Sequence, residues 1–332
     1  MKNKLPRICF IGCGDIASRH ARILKKLYPA IELLFASRSE EKAKSFSDTF
    51  KSSQYFGSYK EALVSGSFDI AFITTPPALH SGLAVMAANN HKDIIIEKPV
   101  TRNLKELSAI ENAVKKNKVR CAVAENYFYK PIIKKIRRYI EEGFIGDVLF
   151  IELNKTGVST KSGWRINKEM MGGGALLEGG VHWINALVSI AGSVPVEVAA
   201  FKPEVKYKTD IPFEDSIMLN VAFKNGSVGK LLHSWRIVNP AMGMSLSKIY
   251  GTDGLITFES NGLFFSVHGK KKRIIFINPF DLLGFKAMHR SFIEDYINNV
   301  PWKPSLERIK LELKLVESAY KSIKSKKTEK IM

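Results

Sequence analysis

The run Gly12-Cys13-Gly14-Asp15-Ile16-Ala17 constrains this chain more than any other feature, because it stands between an apolar run at 8–11 and a helix-like segment that starts near Ser18. Strand, glycine turn and helix N-terminus in that order open a βαβ unit. Gly12 permits the turn, and Gly14 lets backbone N–H groups close on a pyrophosphate. Asp15 and Ile16 are candidate cofactor contacts at that turn, and Ala17, standing for a third glycine, keeps helix and strand in close packing. A lone motif of this kind also serves plain turns; the flanking strand and helix make a dinucleotide the expected ligand.

The residue that reads the adenosine ribose falls about 20 positions further on and is acidic in an NAD-selective site. Here the second strand ends in Ser37-Arg38-Ser39, with no acid at its end. A carboxylate repels a 2′-phosphate, whereas the Ser37 hydroxyl and the Arg38 guanidinium can bind one. NADP(H) is therefore the preferred cofactor on this reading. NAD(H) stays open, because Glu40 or Glu41 could turn back to a ribose hydroxyl.

From 7 to 125 short apolar runs alternate with amphipathic helices: strands are expected at 7–11, 33–37, 69–74, 93–97 and 120–124, with helices at 16–27, 40–50, 79–89 and 104–117. Strands that are apolar without alternation are covered by helices on both faces, which predicts a doubly wound parallel sheet, a Rossmann domain over 1–125. After a helix near 131–142 come strands at 148–154, 196–201, 216–223, 228–237, 246–250, 255–259, 263–267 and 273–277, joined by turn pairs such as Asn225-Gly226, Asp253-Gly254 and Asn261-Gly262. An α+β domain with a mostly antiparallel open sheet is expected over 126–300, interrupted by a helix at 175–191. A helix near 285–298 and a last one at 305–325 close the chain, with 301–332 returning towards the first domain and a basic, disordered tail at 324–332.

A length of 332 residues favours two domains, and a hydrophobic content of 45% fills both. The net charge of +19 raises the question of a polyanionic partner, but the basic residues are spread over amphipathic segments and no nucleic-acid motif accompanies them. Neither nucleic acid nor membrane is expected as a partner. Cys9, Cys13 and Cys121 form no C-x-x-C and no metal-ligand spacing, so they are read as reduced thiols and no metal site is expected. Gly12, Gly14, Asp15 and Arg19 interrupt the first apolar stretch before a signal-peptide core can form, and a cytoplasmic location is expected.

Open parallel sheets deliver ligands to the carboxyl ends of their strands. Two proline-fixed loops follow such ends: Thr74-Thr75-Pro76-Pro77-Ala78-Leu79-His80, and Glu97-Lys98-Pro99. Thr74, Thr75, Pro76, His80, Glu97 and Lys98 are candidate cofactor contacts. Lys98, after the apolar 94–96, is a tunable group for proton chemistry, while His80 serves equally well as a backbone partner. A third constellation is Gly172-Gly173-Gly174 followed by Ala175 through His182. Glu178 and His182 are spaced i, i+4, so on a helix a carboxylate can orient an imidazole acting as general base. Gly179 and Gly180 each cost a helix about 1 kcal/mol relative to Ala, which suggests close approach by a cofactor ring or substrate.

In the order and spacing of GCGDIA, TTPPALH, EKP, ENYFYKP at 125–131, Trp164-Arg165 and GGGALLEGGVH, the sequence resembles the glucose-fructose oxidoreductase / inositol dehydrogenase (Gfo/Idh/MocA) family over nearly its whole length. The resemblance implies reversible oxidation of a secondary alcohol of a sugar, cyclitol or nucleotide-sugar with a nicotinamide cofactor, catalysed by Lys98 and His182. It also implies a substrate held between cofactor and sheet domain, and a homo-oligomer, dimer or tetramer. Two positions depart from the family pattern: Glu178 stands where many members carry Asp, and Asn185 where a second Asp is frequent. The first keeps the carboxylate but moves it by one methylene, which matters for catalytic geometry.

The expected protein is thus an NADP-dependent oxidoreductase with Lys98, His182 and Glu178 at its chemistry. Tyr127, Trp164, Arg165 and Asn185 are candidate substrate contacts, each open to a plain core or interface role. A cofactor-binding regulator or scaffold without turnover is the rival reading.

Overall fold

The computed structural model describes residues 4–205, 211–239 and 244–331. The chain packs as two units, Met1–Glu125 with Phe285–Lys310, and Asn126–Gly284 with Leu311–Met332.

In the first unit, β1 (Arg7–Ile11), α1 (Asp15–Leu27), β2 (Glu32–Ala36), α2 (Glu40–Phe50), β3 (Tyr55–Phe56), α3 (Tyr59–Val64), β4 (Ile70–Ile73), α4 (His80–Asn89), β5 (Asp93–Ile96), α5 (Leu104–Asn117) and β6 (Cys121–Val123) follow one another. The strands form one parallel sheet in the order β3-β2-β1-β4-β5-β6. The strand order reverses between β1 and β4, paired in register from Ile8↔Ile70 to Ile11↔Ile73, and a crevice for a ligand opens at such a point. Phe10 stacks between Phe35 and Phe72 at ring distances of 5.6 and 5.0 Å, tying the three central strands through one face. Helix α1 buries Ala17, His20, Ala21 and Leu24, the i, i+3, i+4, i+7 stripe of a helix lying on a sheet. β3 and α3 were not among the expected elements: a two-residue strand is too short to show a period, and it is held by pairing with Phe35 and Ala36 of β2.

The second unit contains α6 (Pro131–Glu141), β7 (Val148–Thr156), α7 (Lys168–Met171), α8 (Val181–Ala191), β8 (Pro195–Phe201), β9 (Ser216–Phe223), β10 (Val228–Ser234), β11 (Leu246–Gly251), β12 (Gly254–Glu259), β13 (Phe264–His268) and β14 (Arg273–Phe276). Helices α9 (Phe285–Ile297) and α10 (Leu306–Ser325) and a last strand, β15 (Glu329–Lys330), complete the chain. Nine strands run in the order β14-β13-β12-β11-β7-β10-β9-β8-β15, antiparallel except for the parallel pair of β7 and β10. Across seven of them Val198, Val221, Gly229, Ile151, Ile249, Ile256 and Val267 lie in register on one buried face. Helix α8 covers that face so closely that a methyl group on Gly229 would lie 2.7 Å from Leu187 Cδ1. The other face leaves Phe150, Phe201, Met218 and Val228 exposed, Phe150 to 55%.

Two expectations for this unit are corrected. The helix expected over 175–191 begins as a π-helical turn, Leu176–Gly180, and becomes α-helical only at Val181. The tail expected to be disordered ends as β15, antiparallel to β8; Met332 lies outside the described residues. Ser322 explains the second difference: its hydroxyl accepts from Ala200 N–H at 2.9 Å and donates to Lys327 O at 2.6 Å, folding the chain back, and Ile331 N–H then donates to Val196 O at 2.9 Å. Removing 326–332 should therefore cost about 1 kcal/mol or more and lower the thermal midpoint by about 2–4 °C. An unchanged melting curve would show that the strand adds nothing.

Candidate functional site

The sequence-predicted residues of the first unit gather at the carboxyl ends of β1, β4 and β5. Gly12 leaves β1 at φ +116°, and a Cβ there would lie 3.1 Å from Thr74 C and O, so both conformation and space require glycine. The Thr74 hydroxyl donates to Gly12 O at 2.8 Å and closes the two loops on each other. Gly14 is the N-cap of α1 with extended backbone; no side chain caps the helix, and nothing lies within 4 Å of the position a Cβ would take. Among the described residues no side chain caps the first-turn N–H groups at Asp15, Ile16 and Ala17, and the thirteen-residue helix brings its positive end to them. Thr75 Oγ1 is buried without a hydrogen-bond partner among the described residues. Together these features fit a dinucleotide whose pyrophosphate sits on the helix end.

At the end of β2, Ser37 is buried and its hydroxyl accepts from Ser39 N–H at 3.2 Å, while Arg38 is exposed. Ser39 caps α2 by accepting from Lys42 N–H and donates to Glu41 Oε2 at 2.7 Å, so one of the two nearby acids is tied to its own helix start. Burial pushes the neighbouring Tyr59 phenol up, and the Arg38 charge and hydrogen bond pull it partly back.

His80 is fully buried in α4. Its Nε2 lies 2.8 Å from Thr75 O, and its Nδ1 lies 3.0 Å from Pro99 O and 3.2 Å from Val100 O. It was expected as a cofactor contact and is placed as a clamp joining the 74–80 loop to the 97–100 loop. Pro99 in that second loop follows a cis peptide bond. Burial lowers the His80 pKa against the opposing pull of the three carbonyls and of Glu97. Lys98 is half-buried at the head of the loop that this clamp holds.

In the second unit, His182 and Glu178 occupy the π turn and the start of α8. A buried carboxylate builds that turn: Glu214 accepts from Leu176 N–H at 3.0 Å and from the Tyr320 hydroxyl at 2.8 Å. Burial raises the Glu214 pKa, and these donors oppose the rise. The His182 ring stacks on Tyr127 at 4.5 Å and 15°. Glu178 meets Lys161 Nζ at 3.1 Å and Arg165 Nε at 3.6 Å, and Arg165 lies over the Trp164 ring at 4.5 Å. The structure therefore brings Glu178, Trp164 and Arg165 together. Asn185 it places in the core instead, fully buried and donating to Glu312 Oε1 at 2.8 Å. The two glycines of the turn also have neighbours within the unit: a Cβ on Gly179 would meet His233 Nε2 at 3.0 Å and Trp235 Nε1 at 3.7 Å, and one on Gly180 would meet Leu176 and His233.

Sequence reasoning missed three residues of this cluster, His233, Lys161 and Lys130. His233, on the inner face of β10, is buried with neither ring nitrogen hydrogen-bonded among the described residues, and burial pushes it down to about 3. Lys161 lies over the Trp235 ring at 4.7 Å. Lys130 is 1% exposed beneath Tyr127, its Nζ 4.3 Å from that ring centre and donating to Ser260 O at 2.8 Å; burial brings it down to about 7. Lys130 stands inside the ENYFYKP run, where only its company hinted at a role.

Residues 6–125 match the model of the oxidoreductase family with an NAD-binding Rossmann fold, GFO_IDH_MocA, and 133–257 match the GFO/IDH/MocA C-terminal domain. The chain belongs to the GFO/IDH/MocA family of oxidoreductases. Levoglucosan dehydrogenase of Pseudarthrobacter phenanthrenivorans is 29% identical over 211 residues, covering 56% of this chain and 54% of that protein, so the match spans about half of that relative. The NADP(+)-dependent scyllo-inositol 2-dehydrogenase of Bacillus subtilis is 26% identical and covers 76% of each chain. Among solved structures, a levoglucosan dehydrogenase in complex with NADH superposes with a TM-score of 0.87 at 20% identity, over 98% of this chain and 99% of that one; it shares the fold.

Among the described residues no group of His, Cys, Asp and Glu could hold a metal, and no helix is long and apolar enough to cross a membrane. Three imidazoles, His80, His233 and His289, are buried with pKa values lowered chiefly by burial. A depressed folded value means that the unfolded chain binds the proton first, so stability is complete above about 6.5 and falls as the pH drops, for His233, brought down to about 3, by about 2 kcal/mol at pH 5. Urea midpoints at pH 7.5, 6.5 and 5.5 should decline, and less steeply for His233→Phe; a flat series would contradict the burial of neutral rings.

Proposed function

We propose that the protein is an NADP-dependent oxidoreductase acting on a secondary alcohol, or the matching ketone, of a sugar, cyclitol or nucleotide-sugar. The observation that carries this reading is the uncapped N-terminus of α1 behind Gly14, in the same unit as the half-buried Lys98 and in a chain of the GFO/IDH/MocA family. Relatives named for levoglucosan, D-xylose and scyllo-inositol point to the carbohydrate-like class.

Gly12, Gly14, Asp15, Ile16 and Ala17 hold the pyrophosphate, and Thr74, Thr75, Pro76, Glu97 and Lys98 line the nicotinamide side. Ser37 and Arg38 take the 2′-phosphate. When bound, the nicotinamide takes a hydride from the carbinol carbon or returns it. In the oxidative direction His182 accepts the hydroxyl proton, and Lys98 donates to the reacting oxygen and favours its developing negative charge. Glu178 orients His182, and Tyr127, Trp164 and Arg165 contact the substrate. Self-association as a dimer or tetramer uses the exposed sheet face at Phe150, Met218 and Phe201; sedimentation velocity should show more than a monomer, and a Phe150→Lys variant should shift it towards one.

Fluorescence titration should find NADPH bound at least about tenfold more tightly than NADH, with the preference lost in Arg38→Ala. Binding of neither would overturn the reading at its first step. Lys98→Ala should lower kcat by about 100-fold while cofactor affinity stays within about twofold. Unchanged turnover would remove Lys98 from the chemistry.

A further inference from the structure

The stripe with which α1 meets the sheet is apolar except at one position, His20. Its ring is fully buried, 4.7 Å from Phe72 and 5.5 Å from Phe285, in surroundings that would suit a leucine. It is polar on both edges for a reason that leads to Lys98. His20 Nε2 lies 2.6 Å from Glu97 Oε1, and His20 Nδ1 lies 2.8 Å from His289 Nε2. A carboxylate only accepts, so Nε2–H is the donor to Glu97; in the neutral His20 ring Nδ1 then accepts from Nε2–H of His289, and in the imidazolium Nδ1–H donates to that nitrogen. Burial, and after it the His20 charge, pushes His289 well down, so the His289 ring stays neutral. The second Glu97 oxygen accepts from Lys98 N–H at 2.9 Å. Two imidazoles and a carboxylate thus form one buried row ending at the backbone of Lys98.

We infer that His20 is a positioning residue for Lys98: by donating to Glu97 it anchors that carboxylate as an anion, which in turn fixes the Lys98 backbone and stabilises the Lys98 ammonium. The inference rests on the reading of Lys98 as a catalytic residue. Four titratable groups face Glu97: His20 from α1, with His289 of α9 behind it, His80 from α4, and Lys98 beside it. Burial alone would push the Glu97 carboxyl up; the His20 hydrogen bond and charge, with the Lys98 charge and N–H, more than reverse this. Without the imidazole, Oε1 loses its donor in a site closed to water, so the carboxyl takes a proton and the negative charge beside Lys98 disappears. An ammonium that has lost its counter-charge releases its own proton at lower pH, and with it the charge that favours an oxyanion.

The test reads Lys98 directly. With lysine labelled at 13Cε, its NMR signal is assigned by loss in Lys98→Arg and titrated in the wild type, in His20→Phe and His20→Asn, which replace the ring by a larger and a smaller side chain, and in Glu97→Gln. The Lys98 midpoint should fall by about one pH unit in each variant, and adding His20→Phe to Glu97→Gln should lower it no further. In the His20 variants kcat should drop about tenfold with the alkaline limb of its pH profile moved the same way, and NADPH affinity should stay within about twofold. A Lys98 midpoint that does not move in any folded variant overturns the inference. Intact turnover in Lys98→Ala is a different failure, that of the catalytic reading, and leaves the titration to judge the coupling alone.

Discussion

The first unit depends on how two neighbouring strands end. In a parallel sheet covered on both faces, backbone groups are paired along every strand, and only the carboxyl ends open to a ligand. At β1 and β4 the chain meets this limit with one unusual backbone angle, Gly12 at φ +116°, lying against Thr74 with no room for a side chain. The Thr74 hydroxyl locks the arrangement through Gly12 O, which fixes where α1 begins and therefore where its unpaired N–H groups lie. His80 extends the constraint by tying the 74–80 loop to the loop of Lys98 through three carbonyl oxygens. What reads in the sequence as separate short motifs is one hydrogen-bonded rim.

That rim was legible because its parts are glycines, prolines and apolar runs, whose backbone preferences are local. The parallel order of strands, the hairpins and the boundaries of α2 and α5 were readable for the same reason: Ser39 and Asn103 accept from Lys42 N–H and Glu106 N–H as capping residues do. The rest was set by distant partners. β3 exists because β2 offers an edge, β15 because Ser322 turns the tail onto β8, and the π turn because Glu214 satisfies its first N–H groups. None of these partners lies within a window that periodicity can see.

The candidate site divides in the same way. Lys98 in the first unit and His182, Glu178, Trp164 and Arg165 in the second are the candidates that spacing and resemblance single out, whereas Lys161 and His233 carry no motif and become visible only when β10 and the π turn are packed together. The glycines of that turn leave room for an imidazole and an indole of the same unit, His233 and Trp235, neighbours that their spacing in the sequence does not reveal. Asn185 shows the reverse, a family position whose side chain serves the core through Glu312.

Gly229 lies in the middle of the nine-stranded sheet, under Leu187 of the helix that carries His182 near its start. Only the Leu187 side chain stands between helix and sheet there, with the Phe223 ring beside it, so the contact works as a fulcrum. A single added methyl group would lift the helix at its middle and tilt both ends, moving an imidazole about a turn and a half away without touching it. Adjustment of His182 is thus available to sequence change on the sheet side of the helix.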